Sequence, residues 1–123
     1  MSIEKRPSSI QKIKHLVREF AADRDWDQFH SPKNLAMALS VEVAEIIEHF
    51  QWLTEDQSRS IPEDKRKVIA EELADTFIYL VRLADKLNVD LLTAAEEKIS
   101  ANAKAYPVDK AKGNAKKYTE FEK

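Results

Sequence analysis

Two pairs of acidic residues stand out as groups whose type and spacing could do chemistry. Glu42-Val43-Ala44-Glu45 and Glu72-Leu73-Ala74-Asp75 each place two carboxylates three residues apart, which on a helix puts both on one face with Cβ atoms about 5–6 Å apart. At about 100° per residue, Glu42, Glu45 and His49 share one flank beside Leu39 and Ile46, while Glu48 turns away. Glu72, Asp75 and Tyr79 likewise flank a stripe of Leu73, Phe77 and Leu80, with Glu71 facing elsewhere. Four carboxylates at the rim of a core repel one another and lose hydration. A divalent cation relieves both costs, and an all-oxygen donor set suits Mg²⁺, or Mn²⁺ in its place, better than zinc. Magnesium retains waters or takes substrate phosphates, so the pattern points to phosphate chemistry. In a chain that is 34% charged, a solvated helix face competes with any single pair of this kind. Two pairs beside apolar stripes on neighbouring helices favour a site. A ferritin-like di-iron centre fits less well, because it wants Glu-x-x-His pairs and no Glu here has a His three residues on. His49 reads as an ordinary partly buried histidine rather than a ligand.

The elements that must position these acids are helices. One glycine and four prolines are sparse punctuation for a sheet, and alternating Val, Ile and Thr runs are missing. The expected fold is all-α, a four-helix bundle with helices over about 9–23, 32–50, 62–87 and 91–105. The first starts after Pro7 with Ser8 as N-cap and buries Ile10, Ile13, Val17 and Phe20. Ser31-Pro32 opens the second with a capping serine and a first-turn proline. The segment 51–61 is polar and broken. The third helix carries Ile69, Leu73, Phe77, Leu80, Ala84 and Leu87 as its stripe. Asn88 stops it, Asp90 caps the fourth, and Pro107 ends that one by disfavouring helical geometry in the residue before it. The short 51–61 connection favours antiparallel packing of the second and third helices, which would let the acid pairs converge. Residues 1–107 are expected to form one domain, and 108–123 a lysine-rich tail, loose or docked on a partner subunit.

Composition removes several alternatives. At 123 residues and 14.2 kDa there is room for one core. A net charge of −2 argues against a nucleic-acid-coating protein. No apolar run approaches the roughly 18 residues of a membrane span, and the N-terminal Met1-Ser2-Ile3-Glu4-Lys5-Arg6 lacks a signal peptide's apolar segment. With no cysteine, disulfides, thiolate zinc sites and cysteine nucleophiles are all ruled out. A cytoplasmic location is the expectation.

Taken together, the two acid pairs resemble the Glu-x-x-Glu…Glu-x-x-Asp signature of the all-α nucleoside triphosphate pyrophosphohydrolases, the MazG-like superfamily. Arg24-Asp25-Trp26-Asp27-Gln28-Phe29-His30, Glu48-His49-Phe50-Gln51-Trp52, Tyr106-Pro107 and the tail segment Lys117-Tyr118-Thr119 are similar to its dCTP pyrophosphatase branch. The resemblance spans about residues 10–107 plus that tail segment. It implies a Mg²⁺-dependent enzyme that cuts a nucleoside triphosphate between the α- and β-phosphates, releasing a monophosphate and pyrophosphate to sanitise or balance nucleotide pools. By motif match Glu42, Glu45, Glu72 and Asp75 are the metal ligands, with Glu42 or Glu45 orienting or deprotonating the attacking water. Lys98, Asn102 and Tyr106 match substrate contacts, chiefly to phosphates, Tyr79 a site-lining tyrosine, and Trp26 and Trp52 aromatic walls of the base pocket. From the residues alone, Lys98 and Asn102 suit either phosphate binding or a solvated face, and the tryptophans either base stacking or packing. A base-pocket histidine that some branch members carry on the first helix is Val17 here, and His15 points elsewhere on that helix.

Family members are usually dimers built into tetramers, and a homo-oligomer, dimer or homotetramer, is expected here. A four-helix chain with a long third helix and a tail, exposing Ile47, Ile78 and Val81 off the main stripes, agrees with that. The expected partner is the nucleoside triphosphate, with neither nucleic acid nor membrane. Two other functions compete: a nucleotide-binding bundle without turnover, and a structural oligomeric bundle with incidental acids.

Overall fold

The computed structural model describes residues 9–121. Among them every regular element is helical: α1 (Ser9–Asp23), a 3₁₀ turn (Asp27–Phe29), α2 (Pro32–Phe50), α3 (Glu55–Ser58), α4 (Glu63–Lys86), α5 (Leu91–Ala105), α6 (Val108–Ala111) and a second 3₁₀ turn (Tyr118–Glu120). The four long helices lie within a residue or so of their expected bounds, and local chemistry explains why. Ser31 accepts a hydrogen bond from the Asn34 N–H at 3.2 Å, with Pro32 in the first turn. Asp90 accepts one from the Thr93 N–H at 3.1 Å. Asn88, at φ 55°, takes the left-handed conformation that ends α4. The proposed Ser8 cap and Pro7 lie outside the described residues.

The chain forms two compact units, one through Val89 and one from Asp90 onward. In the first, α2 packs chiefly on α4, and α1 packs on the same helix. The two run antiparallel, since His49 near the end of α2 meets Glu72 while His30, just ahead of α2, meets Arg82. Ala21, Leu35, Ile69, Val81 and Ala84 are the buried apolar residues. The second unit holds α5 and the segment that follows it.

Five expectations need correction. The stripe assigned to α4 is only partly inward: Ile69 and Ala84 are buried, but Leu73, Phe77, Leu80 and Leu87 are exposed. The covered row runs instead through Ile69, Glu72, Thr76, Tyr79 and Leu83. Polar side chains occupy part of the face that meets α2, so a hydrophobic period misplaces it. Val81, expected outside, is 2% exposed, because the last turns of α4 are enclosed by neighbours on several sides. Ile47 and Ile78 are exposed as expected, whereas Phe20 of α1 is 48% exposed rather than core.

The connection 51–61 is not simply broken. Thr54 and Gln57 form a reciprocal capping box (2.9 and 3.1 Å) that supports the single turn α3. The chain beyond Pro107 is not loose either. Tyr106 packs edge-on against Tyr118 and Phe121, with centroids 6.0 and 5.7 Å apart, so aromatic contacts fold the tail within its own unit. No helix among the described residues is long and apolar enough to cross a membrane.

Candidate functional site

Helical spacing and the antiparallel pairing of α2 with α4 place Glu42, Glu45, Glu72 and Asp75 in one electrostatic neighbourhood. The Glu42 carboxyl is held above the usual carboxylate range, first by burial, then by a hydrogen bond shared with Glu45, then by the charges of Glu45, Asp75 and Glu72. Glu42 Oε2 and Glu72 Oε2 are both buried without a well-formed hydrogen bond. His49 Nε2 stands 2.5 Å from Glu72 Oε2, a close contact that falls short of hydrogen-bond geometry. Glu48 and Glu71 are exposed, as their helical phase requires. With Glu42 turned to Glu45 and Glu72 to His49, the cluster is open: among the described residues no three acids or histidines close into a metal cage. Orphaned buried oxygens and a donor set that is all carboxylate nonetheless fit a hard divalent cation, which would satisfy both oxygens and cancel the repulsion.

Beside the acids lies an apolar cavity of about 400 Å³, within the range of small-molecule sites. Ile13, Val17, Leu35 and Ile78 supply aliphatic walls, Trp26 and Tyr79 aromatic ones, and Asp75, His30 and Arg82 the polar groups. Asp75 therefore borders both the cavity and the acid cluster. Val17, at the position where some branch members carry a histidine, gives this wall no side-chain hydrogen-bonding group.

Trp26 is placed by the turn that follows α1. Its N–H donates to the Ala21 carbonyl at 2.8 Å, and Phe20 meets its ring edge-on at 5.6 Å. The Arg24 guanidinium in turn stands 3.6 Å over the Phe20 ring. Asp25, at φ 54°, makes the reversal. The next residues are tied to α4 by an alternating chain of charges. Arg82 donates to Asp27 Oδ1 at 2.6 Å and to His30 Nδ1 at 3.2 Å, and Lys86 reaches the same Asp27 oxygen at 2.5 Å. Arg82 also pairs with Asp85 at 3.5 Å, and Arg18 grips Asp85 through two bonds of 2.5 and 2.6 Å. Asp85 is held below the usual carboxylate range, foremost by the Arg18 hydrogen bond, and Asp27 likewise, foremost by Lys86. Burial, then the charges of Arg82 and Lys86, push the His30 imidazole down.

The other expected site residues are distributed differently. Trp52 is 85% exposed and does not line the cavity. Lys98 and Asn102 are exposed on α5 in the second unit, and Tyr106 closes that helix with its N–H on the Asn102 carbonyl at 2.8 Å. Arg82, 5% exposed and the one buried charge among the described residues, lies outside the motifs that mark the site in sequence, and His30 enters there only as part of one. A signal existed: an arginine inside the apolar run Ile78-Tyr79-Leu80-Val81-Arg82-Leu83 needs a buried acceptor.

Similarity to known proteins extends over most of the chain. Residues 37–121 match the MazG-like family. Mouse dCTP pyrophosphatase 1 is 45% identical over 115 residues, 92% of this chain and 68% of that protein. The human dCTP pyrophosphatase 1 is 43% identical over the same shares. Among solved structures, a pyrophosphatase from Archaeoglobus fulgidus superposes with a TM-score of 0.78 at 34% identity, covering 86% of this chain and 99% of that one.

Proposed function

This chain belongs to the MazG-like family, and from that premise we propose that it is a nucleoside triphosphate pyrophosphohydrolase that cleaves dCTP, or a modified dCTP, to the monophosphate and pyrophosphate. It is a hydrolase acting on a phosphorus anhydride, in keeping with the names of its relatives. The observation that carries the proposal is the position of Asp75 on the border between four clustered carboxylates and an apolar, aromatic-walled cavity. A nucleotide seated there would put its base in the cavity and its charged phosphates toward the acids.

Four carboxylates facing a triphosphate need a cation between them, and we assign Mg²⁺, with Mn²⁺ as substitute, to Glu42, Glu45, Glu72 and Asp75. When bound, the metal neutralises phosphate charge and lowers the pKa of a water. Glu42 or Glu45 would orient or deprotonate a water brought to the site, since each carries a carboxylate within the cluster. His49, in contact with Glu72, would steady that carboxylate. Trp26 and Tyr79 enclose the base, with Trp52 as a further aromatic contact. Lys98, Asn102 and Tyr106 are assigned to the phosphates and sugar on the strength of the motif match. We assign residues 1–107 to the catalytic domain. We also assign a homo-oligomer, dimer or tetramer, because Leu73, Phe77 and Leu80 on α4 and Leu87 just after it leave an apolar row exposed.

Product analysis tests the reaction directly. Incubation of dCTP with the protein and Mg²⁺ should release dCMP and pyrophosphate, and EDTA should stop it. Release of dCDP and orthophosphate instead overturns the assigned cleavage position.

A further inference from the structure

The two aromatic walls of the cavity stand on different elements. Trp26 belongs to the loop between α1 and α2, and Tyr79 to α4. Backbone bonds shape that loop without fixing it against α4. The Trp26 N–H reaches back to Ala21 of α1, while the Phe29 and His30 N–H groups close on Trp26 and Asp27 within the loop itself, at 2.8 and 3.0 Å. Among the described residues, every polar contact from the loop to α4 ends on Arg82 or Lys86.

Arg82 holds the loop from the inside. A guanidinium that is 5% exposed needs acceptors around it. Its own helix offers Asp85 at 3.5 Å, but the tighter partner is the loop carboxylate, Asp27 Oδ1, at 2.6 Å. Lys86 meets the same oxygen at 2.5 Å, and the Arg82 Nε–H donates to His30 Nδ1 at 3.2 Å. Asp27 adjoins Trp26 in the chain, and Arg82 follows Tyr79 by three residues, one turn along the same face of α4. The Arg82–Asp27 bridge therefore spans the same gap as the cavity. Spacing is what a flat ring between two walls is most sensitive to, because opening a contact by about 0.5–1 Å forfeits about a quarter to a half of its dispersion attraction.

We propose that Arg82 is a positioning residue for the nucleobase: by gripping Asp27 it sets the spacing between Trp26 and Tyr79, and with it the grip on a planar heteroaromatic ring seated there. This rests on the nucleotide-hydrolase reading and deepens it. The effect falls on the base half of the substrate and leaves the triphosphate half, at the acids, untouched.

The bridge can be cut from its solvent end. The Asp27 side chain is 61% exposed, and its loss leaves Arg82 paired with Asp85, so Asp27→Ala should fold. Kd values are measured with Mg²⁺ for α,β-imido dCTP and for inorganic tripolyphosphate, which carries the charge without a base. Asp27→Ala should weaken the dCTP compound about fivefold, about half the worth of a base–aromatic stack. Tripolyphosphate should stay within about twofold of wild type, and Asp27→Glu, which keeps a carboxylate on a longer arm, should recover part of the lost dCTP affinity. Equal weakening of both compounds, as a merely structural role would give, overturns the proposal. So does an unchanged ratio, or a wild type that binds the dCTP compound no more tightly than tripolyphosphate. A spectroscopic readout is independent of ligand. In a Trp52→Phe background Trp26 is the one tryptophan left, and adding Asp27→Ala should increase its quenching by acrylamide; unchanged quenching refutes the bridge as its anchor. The two readings separate. Base-dependent loss in Asp27→Ala by a protein that releases no pyrophosphate sinks the hydrolase and leaves the bridge, and pyrophosphate release with an unchanged ratio does the reverse.

Discussion

Replacing Glu42 by glutamine should invert with metal, and the size of each arm follows from the site. Without a cation, Glu42 lies among three other carboxylates, Glu45, Asp75 and Glu72, and its Oε2 is buried without a partner. Like charges one helical turn apart cost about 0.2–0.5 kcal/mol per pair at a water-accessible rim. Glu45 is such a neighbour on α2, and counting Glu72 and Asp75 of α4 at the same size puts the relief from Glu42→Gln at about 1 kcal/mol, or about 5 °C in melting temperature for a chain of this size. The amide can also donate to Glu45, which the carboxylate cannot. The pH dependence has a definite sign. A carboxyl whose folded pKa is raised favours the fold below its ordinary pKa, and that benefit is lost as pH rises through the folded value. Metal-free wild type should therefore melt higher as pH falls from 8 toward 5, and Glu42→Gln should depend on pH less steeply over the same window. Millimolar Mg²⁺ reverses the order of the two proteins. At a concentration about 100-fold above Kd it stabilises the wild type by about 2.7 kcal/mol, an effect the variant largely lacks. Differential scanning calorimetry in EDTA and in Mg²⁺, at three pH values, measures all four arms. A wild type indifferent to Mg²⁺, or a Glu42→Gln protein that melts lower in EDTA, would falsify the account of the acids as a self-repelling cation site.

Two further perturbations bear on the scaffold and the cavity. Arg82→Met keeps the volume but strips His30 and Asp85 of a buried partner. It should destabilise the chain by about 3 kcal/mol in urea unfolding. An unchanged unfolding midpoint refutes the clamp. Trp26→Ala should raise the KM for dCTP about tenfold with little change in kcat, because a base–aromatic stack is worth about 1–3 kcal/mol. Trp52→Ala, at a position 85% exposed, should leave the melting temperature within about 1 °C, so any rise it causes in KM reports substrate contact alone.

The helix layout was legible because its signals are local. Ser31-Pro32, Asn88 and Asp90 act within a few residues of themselves, and each caps or stops a helix where its chemistry places it. The acid pairs were legible for the same reason, since a spacing of three fixes a shared face before anything packs on it. The inward side of α4 was not. It is decided by α2, which meets the flank carrying Glu72 and Thr76, and hydrophobic period alone chose Leu73 and Phe77 instead. Thr54-Glu55-Asp56-Gln57 did carry a capping signature, but four residues are too few for any periodicity to register. His30 and Arg82 lie far apart in sequence and meet only when the loop after α1 folds onto α4.

Asp75 faces two ways, toward the cavity and toward the other carboxylates, and this limits how the protein can diverge. A substitution there to suit a different base would also disturb the machinery that handles the triphosphate, so turnover and selectivity would fall together. Val17 and Ile13, on the α1 side of the same hollow, carry no such double duty. Lineages or engineers seeking new bases should therefore find tolerated changes on α1, while the acidic helix faces stay fixed.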